Sequence, residues 1–264
     1  MKYIKVTAII AVALSLTGLV SVASASHSWG GYHWARTANP FTLSMGDNVS
    51  TAWDSILATT SSDWSNSSIL DTTIVAGQGR TNCRANNGRV EVCNKVYGNT
   101  GWLGIAQIWV SGSHITKGIV KVNDTYFNTP TYNTLAWRNL VMCQEVGHTL
   151  GLGHQDENFT NPNLDTCMDY TNDPSTNQHP NQDDYDMLTT IYAHLDSMTT
   201  VAFASASSAK NIKAVKENSG QEIDLDDPSA WGKAIKKDAQ GKNSTYERDL
   251  GNGQKVFTFV TWAR

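Results

Sequence analysis

Apolar residues recur along this chain with two different periods. Val49, Trp53, Ile56 and Leu57 follow one another at three and four positions, which predicts a helix over residues 48–57 with Asp47 or Ser44 as cap, ended by the polar run Asp63-Trp64-Ser65-Asn66. A second helix is predicted over 135–150, with Leu140, Val141 and Val146 on its inner face and Gly151 as its stop. A third covers 183–195, where Tyr185, Leu188, Ile191, Tyr192 and Leu195 keep the same spacing. Between the first two lie short β-branched runs at 72–76, 90–92, 105–110 and 115–122, separated by Gly- and Asn-rich turns. The pattern reads as a helix, a sheet and two further helices, an α/β chain. Residues 199–211 are rich in Ala and Ser and read as a linker. Residues 212–264 hold two more strand-like runs, 244–250 and 254–262, joined by Gly251-Asn252-Gly253. They form either a small C-terminal β-hairpin module or an extension of the main sheet. There is no internal repeat.

The first 25 residues follow a different logic. Lys2 and Lys5 precede an apolar run over 9–22, and Ala23-Ser24-Ala25 has the small-x-small form of a cleavage site. Residues 1–25 therefore read as a secretory signal peptide. An uncleaved anchor is the poorer reading, because the run falls short of the ~20 apolar residues that a spanning helix needs. The expected setting is secreted and extracellular, where the four cysteines can form disulfides. With 40% hydrophobic residues, 264 residues suffice for one sizeable core. Twenty basic residues against 24 acidic ones argue against a basic surface for nucleic acid.

Candidate chemistry concentrates in Cys143-Gln144-Glu145-Val146-Gly147-His148-Thr149-Leu150-Gly151-Leu152-Gly153-His154-Gln155-Asp156-Glu157. On a helix, Gln144 and His148 share a face and Glu145 lies beside them. Gly151 accepts the positive φ needed to leave the helix sharply, so that His154 can turn back toward the same spot. Two or three donors and an adjacent carboxylate suit a metal site. The segment resembles the zinc-binding signature of the metzincin metallopeptidases, H-E-x-x-H-x-x-G-x-x-H, at every fixed position but the first, where Gln144 stands for histidine. The resemblance extends over about residues 30–197. Cys167-Met168-Asp169-Tyr170 resembles the Met-turn. Tyr32, Trp34, Trp53 and Trp64 resemble the aromatic opening of a matrixin-like domain, and Leu103-Gly104-Ile105-Ala106 its substrate-binding edge strand.

The resemblance implies an α+β zincin with a twisted mixed sheet, an active-site helix and a Met-turn. It divides the chain into a signal peptide (1–25), a catalytic domain (26–198), a linker (199–211) and a C-terminal module (212–264). It implies a Zn2+-dependent endopeptidase in which Gln144, His148 and His154 are the metal ligands, Glu145 is the general base, Met168 is the hydrophobic floor and Tyr170 steadies the oxyanion. Substrate would be a protein or peptide lying extended along Gly104 to Ile108, and the mature chain would be a monomer without nucleic-acid or membrane partners. Cys143–Cys167 and Cys83–Cys93 are the implied disulfides, the first stapling the helix to the Met-turn. A glutamine oxygen is a poorer zinc donor than imidazole, so three outcomes stay open. Gln144 binds, Asp156 takes its place, or the domain is a binding protein on a protease scaffold. Ca2+ is a further candidate at Asp183, Asp184 and Asp186 or at Asp156, Glu157 and Asn158, the first group also being explained as helix-dipole partners. His27, His33, His114, His179 and His194 have no partner at ligand spacing and read as structural or surface residues.

Overall fold

A computed structural model describes residues 26–79, 83–202 and 226–264, and the predicted signal peptide lies outside the described residues. In chain order the elements are β1 (His33–Trp34), β2 (Phe41–Asn48), α1 (Asp54–Trp64), β3 (Leu70–Ala76), β4 (Val90–Lys95), β5 (Trp102–Ser111) and β6 (His114–Asn123). They continue with α2 (Asp124–Phe127), α3 (Leu135–Thr149), α4 (Gln182–Ile191), β7 (Lys233–Lys237), β8 (Asn243–Gly251) and β9 (Gln254–Trp262). The chain is a mixed α/β protein built on one large mixed sheet.

The sheet runs β3-β2-β4-β6-β5-β9-β8-β7, with β1 paired to β6 off this path. Neighbours from β3 to β6 are parallel, and each pairing from β6 through β5 and β9 to β7 is antiparallel. Of the two alternatives for the C-terminal strands, extension of the main sheet is the one adopted. Phe257, Phe259 and Val260 of β9 are buried, the first two within the main core. β9 is therefore an interior strand, and the β5 edge predicted to take substrate is already paired along its whole length.

The predicted helix over 48–57 lies instead at Asp54–Trp64, while Ser44 and Asp47, its candidate caps, belong to β2. Val49 and Trp53 are buried from the turn that joins the two elements, so the apolar spacing reports a common core rather than a common helix. α3 matches its prediction closely, whereas α4 ends at Ile191, short of the predicted 195, and leaves Leu195 exposed. Thr134 caps α3 by accepting from the Trp137 N–H, and Asn181 with Asp184 forms a capping box on α4. Trp34, Trp53 and Trp64 are fully buried. Two of them brace α3, the Trp64 indole donating to the Cys143 carbonyl at 3.2 Å and the Trp34 indole to the Thr149 carbonyl at 2.8 Å. Both implied disulfides, Cys83–Cys93 and Cys143–Cys167, are present. Of the predicted linker, residues 203–211 lie outside the described residues, and Thr200 and Ala202 donate backbone hydrogen bonds to Ala35 and Gly88. Among the described residues no helix is long and apolar enough to cross a membrane.

Candidate metal centre beneath the C-terminal strand

α3 runs under β5 and β9 and carries Gln144, Glu145 and His148, all of them buried. The helix can lie this close because Gly104 of β5 has no side chain. A Cβ there would stand 2.5 Å from Val141 Cγ1 and 2.8 Å from Glu145 Oε1. On the opposite face, a Cβ at Gly147 would stand 2.5 Å from Met168 Sδ, so the buried Met168 packs directly against the helix. The disulfide from Cys143 to Cys167 fixes the same two segments to each other.

The exit from α3 depends on Gly151. Its φ is 97°, and a Cβ would stand 2.3 Å from the Tyr32 carbonyl oxygen. The turn is then held by Gly153 N–H donating to the His27 carbonyl at 2.6 Å, which places His154 over His148. Gly151→Ala is expected to cost at least about 2 kcal/mol, since left-handed strain and a backbone clash act together. Denaturant unfolding measures this, and a midpoint equal to the parent's would contradict it.

The two histidines face each other through Nε2 atoms 3.0 Å apart. His148 Nδ1 lies 2.9 Å from the Leu152 carbonyl and His154 Nδ1 lies 2.8 Å from Glu157 Oε1. Both partners only accept, so each Nδ1 carries its proton and each neutral Nε2 presents a lone pair to the other. Burial depresses both pKa values, which disfavours relieving the confrontation with an added proton. Second-partner fixation of this kind orients imidazoles as metal ligands.

The other predicted site residues are placed differently. The Gln144 amide donates to the Cys167 carbonyl at 2.8 Å, and its Oε1 accepts from Thr261 Oγ1 of β9 at 2.6 Å. Asp156 accepts from Asn158 N–H and Asn161 Nδ2, both at 2.6 Å, and so is committed to its own loop. Glu145 is fully buried and neither carboxyl oxygen has a hydrogen-bond partner of normal geometry. Desolvation, outweighing the nearby Thr261 and Ala106 donors, pushes its pKa up to about 8. Tyr170 is buried with its ring 4.2 Å from that of His154 and stacked on Phe159, and burial raises its pKa.

β9 closes the site from above. The Phe259 ring stacks on His148 at 4.3 Å and 9°, and Lys236 of β7 lies 2.8 Å from Glu157. A cleft remains beside Gln144, lined by Tyr132, Trp137, Leu140, Tyr170 and Trp262.

Two of the calcium candidates, Asp184 and Glu157, are otherwise engaged. Asp184 holds His27, Gln155, Thr166 and the α4 cap, and Glu157 is shared by His154 and Lys236. His179 bonds Asp63. His33, His114 and His194 have no partner at ligand spacing in the sequence, but folding brings them together. His33, His114 and Asp196 present ligand atoms within 4.8 Å of one another, a group that could hold a metal ion. No short sequence spacing could have signalled it, since the three come from distant segments. No family model and no curated protein matches this chain.

Proposed function

We propose that this chain is a secreted, metzincin-like zinc endopeptidase held latent by its own C-terminal strand. The observation that carries the reading is the pair of neutral imidazoles, His148 and His154, aimed at each other with both Nδ1 protons committed. The α3 segment, the Gly151 turn and the packed Met168 support it, each serving the placement of that pair.

His148 and His154 would hold the metal, and Gln144 Oε1 is the third protein donor once Thr261 releases it. A zinc ion there supplies a Lewis acid that lowers the pKa of water and polarises a carbonyl. Glu145 is the proton acceptor in the same pocket. Burial pushes its pKa up to about 8, toward the protonated form that cannot act as a base, while a zinc ion beside it would favour the carboxylate. Displacing β9 admits water, lets the pKa fall toward the ordinary 4.5 and makes the carboxylate competent as a base. The same displacement frees the β5 edge to pair with an extended peptide. Tyr132, Trp137, Leu140 and Tyr170 of the cleft beside Gln144 remain when β9 leaves, which suits an apolar substrate side chain next to the cut bond.

A non-cleaving binding protein is the second reading, and the engaged Gln144 amide favours it. Casein cleavage separates the two. A zinc-loaded chain ending at residue 202 is expected to cut casein, to stop with a chelator and to recover with zinc. Zinc binding with no chelator-sensitive cleavage would leave the binding protein.

A further inference from the structure

We infer that His33, His114, His194 and Asp196 form a second metal site, closed and structural, selective for a zinc-like divalent cation. It is independent of the endopeptidase reading. His33 in β1 and His114 at the start of β6 are direct partners in a parallel pairing, so their rings stand side by side. The chain leaving α4 passes over them, with Asp196 N–H donating to the Arg36 carbonyl at 2.9 Å, and sets down His194 and Asp196.

His33, His114 and Asp196 present ligand atoms within 4.8 Å of one another, and His194 reaches the group through His33 and Asp196. Asp196 Oδ1 lies 3.4 Å from His33 Nε2, 3.2 Å from His114 Nε2 and 3.7 Å from His194 Nε2, and the His194 and His33 Nε2 atoms are 3.1 Å apart. Tetrahedral zinc with bonds of ~2.0–2.1 Å requires neighbouring ligand atoms about 3.3 Å apart. The four spacings above, all to Asp196 or between His33 and His194, bracket that value.

The surroundings aim these atoms inward. His33 Nδ1 lies 2.8 Å from the Gly31 carbonyl, which fixes its proton there and leaves an Nε2 lone pair facing the cluster. Asp196 Oδ2 is held by the Arg36 backbone N–H at 3.2 Å and by its guanidinium at 2.9 Å, so Oδ1 is the oxygen presented to the three imidazoles. Three imidazole nitrogens and one carboxylate oxygen suit zinc and related transition metals, whereas calcium and magnesium take oxygen-only sets. With His194 drawn in beside His114, four protein ligands would complete a tetrahedron, which is the structural rather than the catalytic form. Such an ion would tie the end of α4 to β1, whose Trp34 braces the end of α3.

The competing account is a hydrogen-bonded cluster in which His114 and His194 donate to Asp196 and His33. Zinc content of the purified full chain decides between them. The paired variant His114→Ala with His194→Ala is expected to contain one zinc fewer per chain than the parent. Single His194→Ala removes a half-exposed side chain outside the core. It is expected to weaken zinc binding at least about tenfold with the circular dichroism spectrum unchanged. Equal zinc content and affinity in the parent and both variants would overturn the site. His148→Ala reports on the other centre separately. If it alone leaves the zinc content unchanged while the paired variant lowers it, the second site stands and the proposed catalytic metal falls.

Discussion

Glu145→Gln, introduced into a chain ending at residue 202, is expected to lower kcat/KM for peptide hydrolysis by about 10²–10⁴-fold, the range typical of a lost general base. Glutamine keeps the volume of the side chain and removes only its capacity to take a proton. The pocket already holds this group without a well-formed hydrogen bond, so the neutral amide introduces no lost contact and the fold should tolerate it. Zinc content should stay at the parental value, because Glu145 is not among the ligands. A Glu145→Gln chain that cleaves peptide at the parental rate would remove Glu145 from the chemistry. One that loses both cleavage and zinc would make its role structural.

Loosening β9 should have the opposite sign. Phe259 is buried against His148, and Thr261 holds Gln144. Truncating a buried phenylalanine to alanine costs about 3–5 kcal/mol. If that cost falls mainly on seating β9, Phe259→Ala raises the uncovered fraction at least about a hundredfold, taking tenfold per ~1.4 kcal/mol. Thr261→Val removes only one hydroxyl contact, worth about 1 kcal/mol, and should raise full-chain activity roughly fivefold. A synthetic peptide covering residues 254–262 should inhibit the truncated chain by re-forming the β5 pairing. Full-chain activity unchanged in both variants, in protein that remains folded, would mean that β9 does not gate the site.

Much of this arrangement is legible in the residues, and the exceptions have physical causes. α3, α4, β5, β6, β8 and β9 follow from period and turn residues, because each keeps one pattern over its length. β2 carries the strand period, with Phe41, Leu43 and Met45 alternating with Thr42, Ser44 and Gly46, but Ser44 and Asp47 also read as caps of the following helix, which masks it. β7 escapes for a different reason. At the sheet edge its Lys-Ala-Ile-Lys-Lys is too polar to mark a buried strand. His148, His154 and Glu145 sit within ten residues, so the helix and the turn that follows it bring them together. What covers them is another matter, because the run 254–262 announces a strand without naming its partner. The His33 cluster is invisible for the same reason, its ligands meeting only through long-range pairing.

The central claim is that His148 and His154 share a metal ion. Zinc content of the full chain carrying His114→Ala and His194→Ala tests it most directly, since the second cluster is then disabled. One zinc per chain, lost when His148→Ala is added, is the expected result. A chain with no zinc, or one whose zinc survives His148→Ala, would contradict the claim.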